Sequence, residues 1–285
     1  MADLAAAICA LQSPGGCFLS SVRLPWGAVE DRNCFVTGLV LRELAGASDP
    51  RLDEARRRAS AFLLRGRHPG HPCLFSFYPH RAHPFWMRRA LYPDADDTAV
   101  VVRELVRAGH CPPRALDQAA ERFARHRATG VRARRPDRRW RRPGVFLTWL
   151  TTADVPNPVD CCVNTNVLAL LAAAGRTGAD GYAAACAMVC DAAELAAARP
   201  GWSREFTPYY PDPREWCHAL EHAVAAGARE VAPALEALRS RRAADPPGPA
   251  LLCCDEPGAI VWTAEVLALA RRLAAPAGRG EARAA

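Results

Sequence analysis

Apolar residues recur at helical spacing in ten stretches, at 3–11, 33–44, 50–64, 94–108, 113–127, 157–174, 179–198, 213–226, 231–242 and 258–273, separated by connectors rich in proline and glycine. No run of strict apolar/polar alternation lasts long enough to read as a sheet, so the pattern predicts an all-α protein. The stretches fall into five pairs. Second members such as 34–44, 97–109, 166–175, 219–227 and 262–270 are apolar nearly all round and read as inner helices. First members such as 51–64 set an arginine-rich face opposite an apolar one, which suits an outer, water-facing layer. One such hairpin cannot bury its apolar face alone, so the recurrence predicts a single α/α toroid of about five to six helical hairpins. It would span 1–275, with 276–285 as a flexible tail. In a toroid the N-termini of the inner helices converge on one end of a central cavity. The polar clusters fall at those places: Asp31, Arg32 and Asn33; Asp94, Asp96 and Asp97; 160–166; Trp216, Cys217 and His218; Asp255 and Glu256.

Composition narrows the class. The chain has 285 residues, 50% apolar and 24% charged, as an ordinary globular protein does. Its longest apolar stretch, 167–174, ends at Gly175, well short of the roughly eighteen residues that cross a bilayer. The opening 1–12 has no basic region and no long apolar run, so the expected location is cytoplasmic. All 37 basic residues are arginine, against 30 acidic ones. The excess of +7 is spread over many helices, and no recognition motif accompanies it, so nucleic acid is not an expected partner. The 12 cysteines are scattered through apolar helices and read as small buried hydrophobes rather than a disulfide framework.

Pro93-Asp-Ala-Asp-Asp-Thr-Ala99 is the most informative segment. Three carboxylates in four residues at the mouth of a cavity can differ sharply in proton affinity, and one held neutral could act as a general acid. Equally, Asp94, Asp96 and Asp97 could cap the helix that follows and face its dipole. The segment resembles the DxDDTA motif of class II terpene cyclases, the group that includes squalene-hopene cyclases. Leu11-Gln-Ser-Pro-Gly-Gly-Cys17 is similar to the QxxxG portion of their repeats, and Trp262-Thr-Ala-Glu265 opens the last inner helix. The resemblance implies an α/α barrel in which Asp96 protonates an alkene or epoxide of a prenyl-type hydrophobic substrate, tuned by Asp94 and Asp97. His218, Asn164 and Asn166 are candidates to hold Asp96 or to position a deprotonating water. Propagating cations need π faces, and Phe77, Trp86, Tyr92, Trp149, Tyr210 and Trp216 are candidates, with Phe75, Tyr78, Phe85 and Tyr209 beside them. Acid chemistry of this kind needs no cofactor; magnesium enters only with a diphosphate substrate. A homodimer could close the cavity.

A second constellation competes. Asp160, Cys162 and His218 are good zinc ligands and would leave a coordination position open. The set is similar to the aspartate, cysteine and histidine ligands of protein prenyltransferase β subunits, and the adjacency of Cys217 and His218 resembles lanthipeptide cyclases. The same residues also fit a buried, metal-free inner wall. Residues 132–142 carry a dense arginine run with Pro136 and Trp140, a loop that could collect a diphosphate, rest on an anionic membrane surface, or serve as a solvated connector. A third reading of the whole chain is a toroid without catalysis whose concave face binds a protein or lipid.

Overall fold

The computed structural model describes residues 3–129, 141–199, 203–240, 250–255 and 258–275. In chain order its elements are α1 (Leu4–Ala10), β1 (Ser20–Leu24), β2 (Gly27–Asp31), α2 (Cys34–Glu43), α3 (Pro50–Gly66), α4 (Ala95–Arg107), α5 (Arg114–Arg125), α6 (Cys161–Ala173), α7 (Tyr182–Ala198), α8 (Ser203–Phe206), α9 (Pro213–Ala225), α10 (Ala232–Arg239), β3 (Ala250–Cys254), β4 (Val261–Ala264) and α11 (Glu265–Ala274). The flexible tail expected at 276–285 and most of the arginine run lie outside the described residues.

Short polar side chains start most of the helices. Asn33 Oδ1 accepts from Val36 N at 2.7 Å, Asp94 Oδ1 from Asp97 N at 2.7 Å, and Asp160 Oδ1 from Cys162 N at 2.7 Å and Val163 N at 3.1 Å. Asp49 and Asp212 cap α3 and α9, each followed by a proline in the first turn. Each cap meets an otherwise orphaned amide and stabilises its helix by about 1 kcal/mol.

Burial separates two kinds of helix. α2, α4 and α6 are buried along most of their length, whereas α3 and α5 bury only an apolar stripe. The buried helices pack in the order α11, α2, α4, α6, α9, while α3, α5, α7 and α10 lie against them. Arg271 of α11 grips Glu215 of α9 with two bonds of 2.6 and 2.7 Å, tying the ends of the row together. Where α2 crosses α4, a Cβ on Gly38 would stand 3.1 Å from Val101 Cγ2 and 3.2 Å from Val100 Cγ1, so the absent side chain lets the two backbones approach.

The all-α toroid expected from the hydrophobic pattern is overturned by a four-stranded antiparallel sheet, ordered β2-β1-β4-β3. The molecule is mixed α and β. Val22 of β1 stands opposite Val29 of β2 on one side and Trp262 of β4 on the other. The expected helix at 258–273 is a strand followed at once by a shorter helix, Glu265–Ala274. The sheet brings Asp31, at the end of β2, and Trp262 to the same end of the helices as the acidic first turn of α4.

Candidate active site

The start of α4 is clamped before its carboxylates are placed. Asp94 N donates to Phe75 O at 3.1 Å, Ala95 N to Thr148 O at 2.8 Å, and Leu150 N to Pro93 O at 2.8 Å. Thr98 Oγ1 accepts from Phe75 N at 3.1 Å. Two extended segments thus hold the first turn from both sides, and the side chain of Asp96 points among the buried helices rather than to water.

Asp96 is 6% exposed. Its Oδ1 accepts from Asn166 Nδ2 of α6 at 2.6 Å, and its Oδ2 accepts from the Tyr210 hydroxyl just ahead of α9. Behind Asn166 stands Arg42 of α2, whose Nη1 lies 3.4 Å from Asn166 Oδ1. Burial pushes the Asp96 carboxyl well above the usual carboxylate range, and the neighbouring Asp94 and Asp160 push it further; Asn166 and Arg42 oppose them without prevailing. These effects favour the neutral form of the carboxyl, and its two oxygens already face donors. Those donors grip a carboxylate more tightly than an acid, so they favour release of the proton while burial holds it until a basic partner arrives.

Its neighbours share the strain of buried charge. Burial lifts Asp94 to about 6, although Asp97 and the backbone amides it caps pull it down. Burial and then Asp94 raise Asp97 well above the carboxylate range, and Asp97 Oδ1 has no hydrogen-bond partner among the described residues. Asp94 therefore caps the helix as an acceptor, while burial and Asp94 favour the protonated form of Asp97. The capping and acid readings of the motif fall on different members of it.

An aromatic row leads away from Asp96. Tyr210 lies 6.1 Å from Phe35, Phe35 6.0 Å from Phe77, Phe77 5.2 Å from Trp262, and Trp262 6.0 Å from Trp86, measured between ring centroids. Tyr210, Phe77 and Trp86 thus come together, bridged by Phe35 and Trp262. Asp31 fixes the far part of this row. It accepts from Asn33 Nδ2 at 2.7 Å, the Tyr78 hydroxyl at 2.9 Å and Trp262 Nε1 at 3.1 Å.

The other expected site residues sit elsewhere. Asn164 spends its amide on the backbone, bonding Phe146 N and O at 3.0 Å each and Asp160 O at 2.9 Å, so the asparagine that reaches Asp96 is Asn166. Trp216 is buried and donates from Nε1 to Thr165 Oγ1 at 3.0 Å. Trp149 packs against Tyr209, with centroids 5.9 Å apart. Tyr92 is 40% exposed. His218 lies buried in α9 with its Nδ1 3.4 Å from Glu221 Oε2. Phe35 and Arg42 carried no signal in the sequence beyond their place on an inner helix.

The zinc constellation does not assemble. Both Asp160 oxygens accept backbone amides, Oδ1 from Cys162 and Val163 and Oδ2 from Tyr209 N at 3.2 Å. Burial pushes the Cys162 thiol well above its ordinary value, and its Sγ lies 4.0 Å from Glu215 O. Among the described residues no three His, Cys, Asp or Glu side chains are grouped to hold a metal ion, so Asp160, Cys162 and His218 form part of the buried inner wall. No helix among the described residues is long and apolar enough to cross a membrane.

No protein-family model matches the chain, and no curated protein matches it either. Solved structures do. A crystal structure of a protein from Actinoplanes is similar over 95% of this chain and 72% of that one, with a TM-score of 0.53 and 16% identity. Two structures of the type II terpene cyclase MstE from Scytonema align over 95% of this chain and 94% of theirs. One holds the product merosterolic acid A, at a TM-score of 0.49 and 14% identity; the other holds the substrate geranylgeranyl dihydroxybenzoate, at 0.44 and 13%. At these identities, what the chain shares with the Actinoplanes protein is its fold.

Proposed function

We propose that this protein is an acid-initiated cyclase or isomerase acting on a hydrophobic, prenyl-derived substrate, with Asp96 as the proton donor. The observation that carries the reading is a buried carboxyl group whose oxygens face Asn166 and Tyr210 and whose burial favours its neutral form, at one end of the row Tyr210, Phe35, Phe77, Trp262 and Trp86.

Asp96 gives its proton to one carbon of an alkene, or to an epoxide oxygen. The substrate becomes a carbocation and Asp96 a carboxylate. Asn166 and Tyr210 then hold that carboxylate with charge-assisted hydrogen bonds, and Arg42 acts on it through Asn166. An internal double bond attacks the cation, forming a carbon–carbon bond and passing the charge along the chain. Aromatic faces attract such a charge by about 0.5–2 kcal/mol each in a desolvated setting. Loss of a proton from a carbon next to the final cation forms the product alkene, and the enzyme regains its proton through solvent. Asp94 positions the turn as its cap, and its negative charge helps keep the proton on Asp96 until it is transferred.

The test is product analysis by mass spectrometry after incubation with geranyl, farnesyl and geranylgeranyl diphosphates, squalene, their epoxides and a geranylgeranyl aryl acid, with and without magnesium. A cyclic or isomerised product that disappears in Asp96→Asn is expected. A product formed equally by Asp96→Asn would overturn the assignment.

A further inference from the structure

The C-terminal ends of α2, α4, α6, α9 and α11 surround a cavity of about 560 Å³, within the roughly 300–1,000 Å³ of small-molecule sites. Its charged and polar lining is Arg42, Glu43, Arg103, Glu104, Arg107 and His222. It lies at the opposite end of α4 from Asp96: seven residues separate Asp96 from Arg103, about 10 Å along a helix axis.

The pairing in this cavity is uneven. Glu43 accepts from His222 Nε2 at 3.1 Å and stands 3.4 Å from Arg42 Nη2 and 3.8 Å from Arg271 Nε. Glu104 receives Nε of Arg107 at 2.9 Å and also its Nη2. Both carboxylates are therefore engaged. Arg103 makes no hydrogen bond or ion pair with any described residue, and its Nη1 is shut off from water. Arg42, 5% exposed, keeps an Nε without a partner among the described residues.

Helix-end carbonyls do not explain the unpaired nitrogens. Those at the end of α2 are met by Arg56, at 2.7 Å from Leu44 O and 2.9 Å from Ala47 O, and by Arg107, at 3.1 Å from Leu41 O. Arg103 serves none of them. Burial lowers its pKa to about 10, which leaves it charged at neutral pH. A buried, unpaired donor destabilises the fold, more so when charged, and an anion in the adjoining space that pairs with the guanidinium offsets that cost.

We propose that this cavity binds a phosphate-bearing small molecule, its phosphoryl oxygens paired with the guanidinium groups of Arg103 and Arg42. Guanidinium forks match phosphate oxygens, and three arginines against two already paired glutamates leave the lining positive. The alanine-rich remainder of the lining leaves room for an organic portion.

Calorimetry and thermal melting of the whole protein test this with inorganic phosphate, inorganic diphosphate and geranyl diphosphate, alongside phosphatidylcholine vesicles doped with phosphatidic acid. Saturable one-site binding of a soluble probe is expected, with a rise in Tm. Arg103→Met should weaken it at least tenfold, and without ligand should melt no lower than wild type, because it removes an unpaired buried charge. Ala226→Phe, which fills the cavity and leaves every guanidinium, should abolish binding; Asp96→Asn should leave it unchanged. Binding equal to wild type in both Arg103→Met and Ala226→Phe, or binding to vesicles alone, or to none of the probes, overturns the proposal.

Discussion

At the first turn of α4 three aspartates are buried, whereas beside its last turns the buried charged groups are Arg42, Glu43 and Glu104, with Arg103 partly buried among them. At the acidic end the proton is the cheapest counter-charge: burial lifts Asp94, Asp96, Asp97 and Asp160 above their ordinary range. At the basic end the opposite holds for the carboxylate. Burial opposes the charge on Glu43, but His222, Arg42 and Arg271 together hold it well below the usual range. His222 is itself lowered to about 4 by burial and by Arg42, so it is a neutral donor at pH 7. Arg42 belongs to both ends, touching Asn166 on one side and lining the cavity on the other. Buried carboxyl groups are met by protonation at one end and, at Glu43, by pairing at the other; only the first arrangement stores a proton that chemistry can use.

The largest expected effect breaks the donors from the acid. Asn166→Ala and Tyr210→Phe each remove a hydrogen bond that strengthens as Asp96 ionises, and should lower kcat by about 10²–10³-fold. Because Asn166 lowers the Asp96 pKa, its loss should also carry the alkaline limb of the pH–rate profile to higher pH. A purely structural role would lower activity without moving that limb.

Next in size is the pH dependence of stability, where the two ends should differ in sign. Asp160 is raised by burial from 3.8 to about 7, so between those values the folded chain holds a proton that the unfolded chain has lost. Its contribution to stability falls as pH rises from about 4 to 7, on the order of 2–4 kcal/mol. His222 works the other way. Its folded value of about 4 lies below the unfolded 6.5, so stability falls as pH drops from about 6.5 to 4. Denaturant titrations between about pH 4 and 7 should therefore show Asp160→Asn removing a loss of stability as pH rises and His222→Gln removing a loss as pH falls. Identical profiles for the two variants would erase the contrast. The smallest effect belongs to charge outside both ends. Arg176 and Asp117 pair at 2.7 Å with both side chains 44% exposed, and Asp117→Ala should change stability by at most about 0.5 kcal/mol.

Much of this was legible in the chain because its signals are local. Asn33, Asp94 and Asp160 each precede an apolar run and each cap a helix, and the crowding of Asp94, Asp96 and Asp97 announces perturbed proton affinity wherever the turn is buried. The sheet was not legible. Ser20-Ser-Val-Arg-Leu24 gives only a weak alternation, Leu251-Leu-Cys-Cys254 is an apolar run that suits helix or strand, and Ala264 passes into Glu265 with no breaker. Those strands are strands because β1 pairs with β4, some 240 residues along the chain, a contact that no local pattern reveals. The same distance hides the partners of the acid: Asn166 stands 70 residues from Asp96, Tyr210 114, and Arg42 reaches Asn166 across 124. Asn164 and Asn166 look alike in sequence, and only the rotation of α6 decides which faces α4 and which faces Phe146.

To act as the proton donor, Asp96 must be a neutral carboxylic acid at pH 7. Infrared difference spectroscopy of the wild type against Asp96→Asn reads it directly, without a substrate. A protonated-carboxyl C=O band is expected at neutral pH, shifting in D₂O and missing from the variant. A spectrum in which the variant instead loses only carboxylate bands would mean that Asp96 is ionised and cannot be the proton donor.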